Sequence, residues 1–598
     1  MLRESYGEGA QIARVSRDGA VRVLTRTFQS ACEPDVSFDG TRFLFAAKRS
    51  ADDQWNIYEM TADGGRFCQI TRSLGDCRSP CYQSTHFRLS ESQPWYQITF
   101  VRTIARTLNE SGSGPATALY SCKLDGSFVQ RLTFNLSSDF DPAVMWDGRL
   151  LYSGWQRRNL DHGLRGRVAI MEANTDGTDY SPFVLGAGLQ IKHMVCTTAA
   201  DLAVFVETER AGWDGAGQLG SVSLLRPAHT YCPLTGPSEG LFHSPSPLPD
   251  GTILVSRRPA DGSGTHAVYR LDPQSKKTAL LYDDPQRHDI QAKVIAPRQE
   301  PDGRSSSISD DDPAGKLYCL NVYANDFPNR TWMPAGSAKR LRVVEGVPRT
   351  AGDSSVQPGR DLPPLAHRRI VGETPIADDG SFNIEVPANL PLELQLLDEH
   401  GLALRSCGWV WTRNHFNQGC VGCHEDRELT PENRLVWALD QRTVSLLTPP
   451  ERREAVDFMN HVLPIVAAKC IGCHGKNGSP PVLGDSAEVE AKQIYLLLRS
   501  PADAGGPDSG LGKYVHPGRA RTSPLVWHVL GRNSSRPWDG AWAAQPAKPI
   551  PPDQPVSLTD SERDTIARWI DLGAAFESGH AGRPSAHAGQ SGTDGRQP

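Results

Sequence analysis

PDVSFDGTRFLFAAKR (34–49), DPAVMWDGRLLYSGWQR (141–157) and SPSPLPDGTILVSRRP (244–259) share one pattern: a proline, an Asp-Gly turn, then an alternating apolar strand. A second pattern, strand, polar turn, strand, recurs as NIYEMTADGGRFCQIT (56–71), ALYSCKLDGSFVQRLT (118–133), VAIMEANTDGTDYSPF (168–183) and AVYRLDPQSKKTALLY (267–282). Each of these reads as a hairpin. Four strands in roughly 45 residues, repeated, cannot bury their apolar faces singly and so predict the stacked blades of a β-propeller. Five full units precede residue 283. A half unit, QIARVSRDGAVRVLT (11–25), stands before them. A ring of about six blades follows, with the first blade incomplete, so that chain upstream or a later strand is expected to complete it. The Asp-Gly pairs are expected to be turns rather than metal sites.

Composition supports a turn-rich β protein, with 55 glycines and 45 prolines in 598 residues. A net charge of −6 gives no polyanion-binding signature, so nucleic acid is excluded as a partner. No apolar run is long enough to span a membrane. The opening MLRESYGEGAQ lacks the apolar core of a signal peptide.

Residues 284–448 are expected to form a β-rich middle domain, with strand-like runs such as KLYCLNVYA, RLRVVEG and LELQLLDEHG between polar loops. Residues 449–577 turn helical. There LTDSERDTIARWIDLGAAF carries a capping box (Thr559, Glu562), an apolar stripe (Ile566, Trp569, Ile570) and a stop at Gly573. Residues 578–598 are low-complexity and read as a disordered tail. The fold class is therefore multidomain and mainly β, with a propeller, a β-rich middle domain and an α-helical C-terminal domain.

The chemistry lies in two pentads, GCVGCHEDRE (419–428) and CIGCHG (470–475). Two thiols on one short turn can add to the two vinyl groups of a haem, and the next histidine then offers its imidazole to the iron. On this reading Cys420 and Cys423 tether one haem c with His424 as ligand. Cys470 and Cys473 tether a second, with His474. The competitor is one four-thiolate zinc site, in which the recurring histidine has no role. A disulfide within either pair is disfavoured by strain. Covalent haem implies export, with a signal upstream of this chain, in the periplasm or an equivalent compartment. In that setting two of Cys68, Cys77 and Cys81 would be able to pair.

Methionine, a common second axial ligand, does not occur after Met459, and KPIPP (548–552) has Ile550 where one would sit. The downstream candidates are His528, in an apolar helix-like run, and then His516. The first haem has no evident second ligand and is expected to be open. His415 is a candidate for its distal side, and Trp409 and Trp411 are expected to pack nearby.

Together these features resemble the hydrazine synthase alpha subunit and its relatives in bacteria that make no hydrazine. The most specific parts are HDIQAKVIAPR (288–298), QLLDE (395–399) with GCVGCHED (419–426), and SPLVWHVLGR (523–532). The resemblance implies a middle-domain haem that carries the chemistry, a terminal haem that passes electrons, and further subunits or a redox partner. It also implies a tyrosine ligand four residues past the first pentad, which frees the pentad histidine for zinc. This chain has Glu428 there, and that arrangement does not carry over. The expected function is a haem-dependent redox protein acting on a small nitrogen compound. The alternative is a pure electron-transfer or partner-binding module with both haems saturated.

Overall fold

The computed structural model describes residues 7–157, 166–184, 186–350, 365–424, 428, 430–500, 512–547 and 558–577. The start of the chain, the loop 351–364, the KPIPP stretch and the tail 578–598 lie outside them.

Five consecutive four-stranded antiparallel meanders run from Ser30 to Tyr282, preceded by the two-stranded hairpin Ala13–Val15 and Val21–Val23. This is the β-propeller expected from the repeats. The proline of the repeat sits inside the innermost strand of a unit rather than in the turn after it. Each innermost strand slips register there, between Cys32 and Asp35, Arg78 and Cys81, Phe140 and Ala143, His193 and Cys196, and His243 and Ser246. The bulged residue has positive φ every time: Glu33, Ser79, Asp141, Met194 and Ser244. Proline follows in four of the five, where a missing N–H costs no ladder bond. The Asp-Gly pairs are indeed turns. Asp39 accepts from the Ser37 hydroxyl and from Thr41, which pulls its carboxyl down to about 2.

Residues 284–306 return along the propeller. Asp289 N–H donates to His266 O in the fifth unit, Glu33 N–H donates to Gln291 Oε1 at 2.8 Å in the first, and Arg298 reaches Val36 O and Asp35. Arg304–Ser306 then pairs in parallel with His86–Arg88 of the second unit.

From Ala314 two four-stranded sheets face each other. Ala314–Cys319 pairs with Phe382–Pro387 and Asn417–Cys420; Arg340–Val347 pairs with His367–Pro375 and Leu392–Leu397, and the latter with Ala403–Val410. Leu317, Ile384 and Val386 of one sheet meet Leu341, Val343 and Leu396 of the other. The strand LELQLL alternates as if half exposed, yet every residue in it is buried. Its polar face meets Arg368, which pairs with Glu393 at 2.8 Å, and the C-terminal helices.

Trp409 and Trp411 join this sandwich to the propeller. Trp411 stacks on Tyr180 at 3.7 Å and donates to Gly177 O, while the Tyr180 hydroxyl donates to Trp409 O. Their apolar area belongs to that seam, not to the pentad turn. The helices Leu463–Lys469, Ala487–Leu498, Pro524–Leu530 and Asp560–Asp571 gather a third core around Phe458, Ile494, Val526 and Trp569. The expected capping box and stripe of the last helix are both present. No helix among the described residues is long and apolar enough to cross a membrane.

Candidate functional site

The second pentad is one turn of helix at the end of Leu463–Lys469. Cys470 N–H donates to Val466 O, and the N–H groups of Cys473 and His474 both donate to Cys470 O. The two thiols therefore leave the same turn. Cys470 packs against the helical core, and burial pushes its thiol up to about 11.

His474 Nδ1 lies 2.8 Å from the Ser479 carbonyl. A carbonyl only accepts, so Nδ1 carries the proton and Nε2 keeps its lone pair. An outer hydrogen bond of this type fixes the ring orientation of metal-ligating histidines. The ring of His528, on the helix Pro524–Leu530, stands at 6.4 Å between centroids and 70° between planes from that of His474. Two imidazoles bound to opposite sides of one metal, at about 2.0–2.1 Å each, have centroids about 6.3 Å apart once the ring radii are added. His528 is held there because Val526, Trp527 and Val529 of its helix are buried.

His516 goes elsewhere. It is fully buried, its Nδ1 pairs with Thr522 Oγ1 at 2.9 Å, and its ring meets Trp542 edge-on at 4.4 Å. It braces the start of the helix that carries His528, whose N-cap Ser523 hydroxyl accepts from His516 N–H.

The first pentad is built differently. Cys420 ends the strand Asn417–Cys420, in register with Cys319, and Cys423 N–H donates to Ala324 O. Gly422 is required here, because a Cβ would come within 2.2 Å of the Ala324 carbonyl oxygen; at Gly472 of the second pentad a Cβ would meet nothing. Cys420 and Cys423 pack at the edge of the sandwich core, as does Trp538, whose ring stacks on Phe327 at 4.8 Å. His424 Nε2 lies 3.2 Å from the Ser406 carbonyl, so that Nε2 is the protonated nitrogen, the reverse of His474. His415 is tied to Asp312 at 2.9 Å with its side chain mostly exposed. Glu428 turns to the propeller, accepting from Arg226 Nε at 3.0 Å and Ala228 N–H at 2.8 Å.

Cys420 and Cys423 pack against the sandwich core and Cys470 against the helical one, and no three His, Cys, Asp or Glu side chains among the described residues are grouped to hold a metal ion. Cys68, Cys77 and Cys81 stand as thiols, the last two buried.

Residues 336–425, which end just past the first pentad, match the family model of the hydrazine synthase alpha subunit middle domain. Hydrazine synthase subunit alpha of Kuenenia stuttgartiensis is 26% identical over 93% of this chain and 87% of its own length. The chain is similar to the hydrazine synthase alpha subunit family along nearly its whole length. The solved structure of Kuenenia stuttgartiensis hydrazine synthase superposes with a TM-score of 0.80, covering 96% of this chain and 91% of that one at 24% identity. At that identity the superposition establishes a common fold. The functional meaning of the hydrazine synthase likeness has to come from the residues.

His528 was nameable from its apolar setting as the first candidate to stand with His474, although no sequence feature set their separation. The pairing with His474 spans 54 positions and arises only when the helix Pro524–Leu530 packs beside the pentad turn. The opposite tautomer of His424 depends on the Ser406 carbonyl, which no motif marks.

Proposed function

We propose that this chain is an exported dihaem c-type cytochrome, a redox relative of the hydrazine synthase alpha subunit, with an electron-carrying terminal haem and a middle-domain haem that takes small nitrogen ligands. The observation that carries the reading is the approach of the His528 ring to 6.4 Å from the His474 ring beside a Cys-x-x-Cys pair, cysteine and histidine being the residues a c-type haem uses. Such a haem, when bound, supplies one-electron chemistry and, where a coordination position is open, affinity for small ligands.

The chain's own residues do the rest. Cys470 and Cys473 provide two thioether positions from one helical turn, and Ser479 holds His474 with Nε2 unprotonated. His528 would supply a second imidazole, and a haem held by two histidines would be suited to electron transfer. At the middle domain Cys420 and Cys423 would provide the tether, and His424, whose Nε2 now meets the Ser406 carbonyl, would be the pentad ligand. His415, the candidate for its distal side, is paired with Asp312, which would leave the second position at this haem to a small ligand. Glu428 is engaged by Arg226 and Ala228 and serves to fasten the pentad loop to the propeller. Further subunits or a redox partner complete the reaction, as the multi-subunit character of the hydrazine synthase relatives suggests.

Carbon monoxide titration of the reduced protein tests the division of labour. About one fast-binding haem in two is expected. Binding at neither would favour the alternative reading, an electron-transfer module with both haems saturated.

A further inference from the structure

Arg88 ends the innermost strand of the second propeller unit, where Arg304–Ser306 pairs with His86–Arg88. The residue is only 3% exposed. Arg368, equally buried, is answered by the buried carboxylate of Glu393 at 2.8 Å. Arg88 is not answered in that way. Its Nη1 donates to Asp310 Oδ2 at 2.7 Å, but the Asp310 side chain is 64% exposed. Its Nε and Nη2 are buried and meet no acceptor among the described residues. Those two nitrogens form one edge of the planar group, the fork that grips two oxygens of a carboxylate or oxyanion.

The surroundings are short of negative charge and rich in donors. The Arg88 guanidinium carbon lies 5.0 Å from the centre of the Phe128 ring, and Trp95 meets that ring edge-on at 5.3 Å. Trp95 Nε1 is a further buried donor with no acceptor. Lys123 Nζ stands 4.6 Å from the Trp95 ring. From the sandwich comes Arg413, buried, whose Nη1 donates to two neutral oxygens, Arg131 O and Asn389 Oδ1, while its Nε is unmet. Burial pulls Arg413 down to about 10, with Asp176 and Asp310 opposing and Arg88 and Arg131 adding to the effect. Asp176 already spends Oδ1 on the Thr178 N–H and hydroxyl. A water in the Arg88 fork would satisfy its N–H groups but leave its charge unanswered, whereas an anion does both.

We propose that the Nε–Nη2 edge of Arg88 is a binding site for one small planar oxyanion, of the nitrate, bicarbonate or formate kind, at the seam between the second propeller unit and the sandwich. Trp95 Nε1 stands beside it as an added donor, and Arg413 contributes positive field from the sandwich side. Asp310 lies between the fork and solvent and sets the affinity, because its carboxylate both occupies Nη1 and repels an incoming anion. The site is separate from both pentads and does not depend on them.

The test is peptide-level hydrogen exchange of the full chain at fixed pH, with sodium nitrate titrated in place of sodium chloride at constant ionic strength. Nitrate serves as the probe because it is planar and offers two oxygens to the fork. Residues 84–95 and 304–310 are expected to gain saturable protection, about tenfold at ten times the half-saturating concentration, while the fifth propeller unit is unchanged. Arg88→Gln removes the fork and should abolish the protection. Asp310→Asn removes the repelling charge, and its half-saturating concentration should fall severalfold. Because Asp310 is largely exposed this second variant is expected to fold, and it decides alone if Arg88→Gln does not. Absence of saturable protection in the wild type, the result a water-filled fork would give, overturns the site. Protection that survives Arg88→Gln, or a midpoint unmoved by Asp310→Asn, overturns it equally.

Discussion

At the scale of single residues, the assignment turns on which nitrogen of an imidazole holds its proton. Ser479 leaves His474 Nε2 with a lone pair directed away from the backbone, whereas Ser406 does the reverse for His424. The account therefore predicts that His528→Ala converts the terminal haem from six- to five-coordinate, read as a low- to high-spin change in the absorption spectrum. His516→Ala should leave that spectrum unchanged while destabilising the helical domain by about 1–3 kcal/mol through a lost buried hydrogen bond and the vacated Trp542 contact. If the His516 variant changes the spectrum and the His528 variant does not, the axial assignment moves to His516. The pentads themselves were plain in the sequence because covalent attachment needs its residues adjacent. The ligand on the other side has no such constraint, so the sequence left two candidates, His528 and His516, and packing places only the first beside His474.

At the scale of elements, the end of the last helix knots the molecule together. Asp571, fully buried, accepts from Ala403 N–H of the sandwich at 3.0 Å and from Ala520 N–H ahead of the His528 helix at 2.8 Å. Burial raises its carboxyl to about 6. Asp571→Ala leaves two buried N–H donors unsatisfied, so a loss of about 2–5 kcal/mol is expected, read as a lowered transition of the helical domain by calorimetry. The helix was legible from its stripe and capping box, which are local. Its docking was not, because Asp571 looks like an ordinary polar residue in the last turn until Ala403 and Ala520 are brought to it. The propeller strands were legible for the same local reason, through alternation and Asp-Gly turns. The repeat proline was misplaced, since a bulge inside a strand and a turn after it leave the same mark in a sequence.

At the scale of the whole molecule, the propeller, the sandwich and the helical part, each with apolar clusters of its own, are joined by specific polar and aromatic seams. Trp411 on Tyr180 links propeller to sandwich, Asp571 links sandwich to helices, and Trp538 packs the helical part onto the sandwich core beside Phe327. Each pentad thus sits in its own core and is held relative to the other by the sandwich. The similarity to hydrazine synthase over nearly the full length fits that plan. Glu428, four residues past the first pentad, binds the propeller through Arg226 and Ala228 N–H. The central claim is that each chain carries two covalent haems. It is tested most directly by the haem content of the full chain matured in a haem-attaching host, measured as the alkaline pyridine spectrum against protein concentration after denaturing electrophoresis has removed loose haem. Two haems per chain are predicted, falling to one in Cys470→Ala/Cys473→Ala; a wild-type protein that retains none would contradict the account.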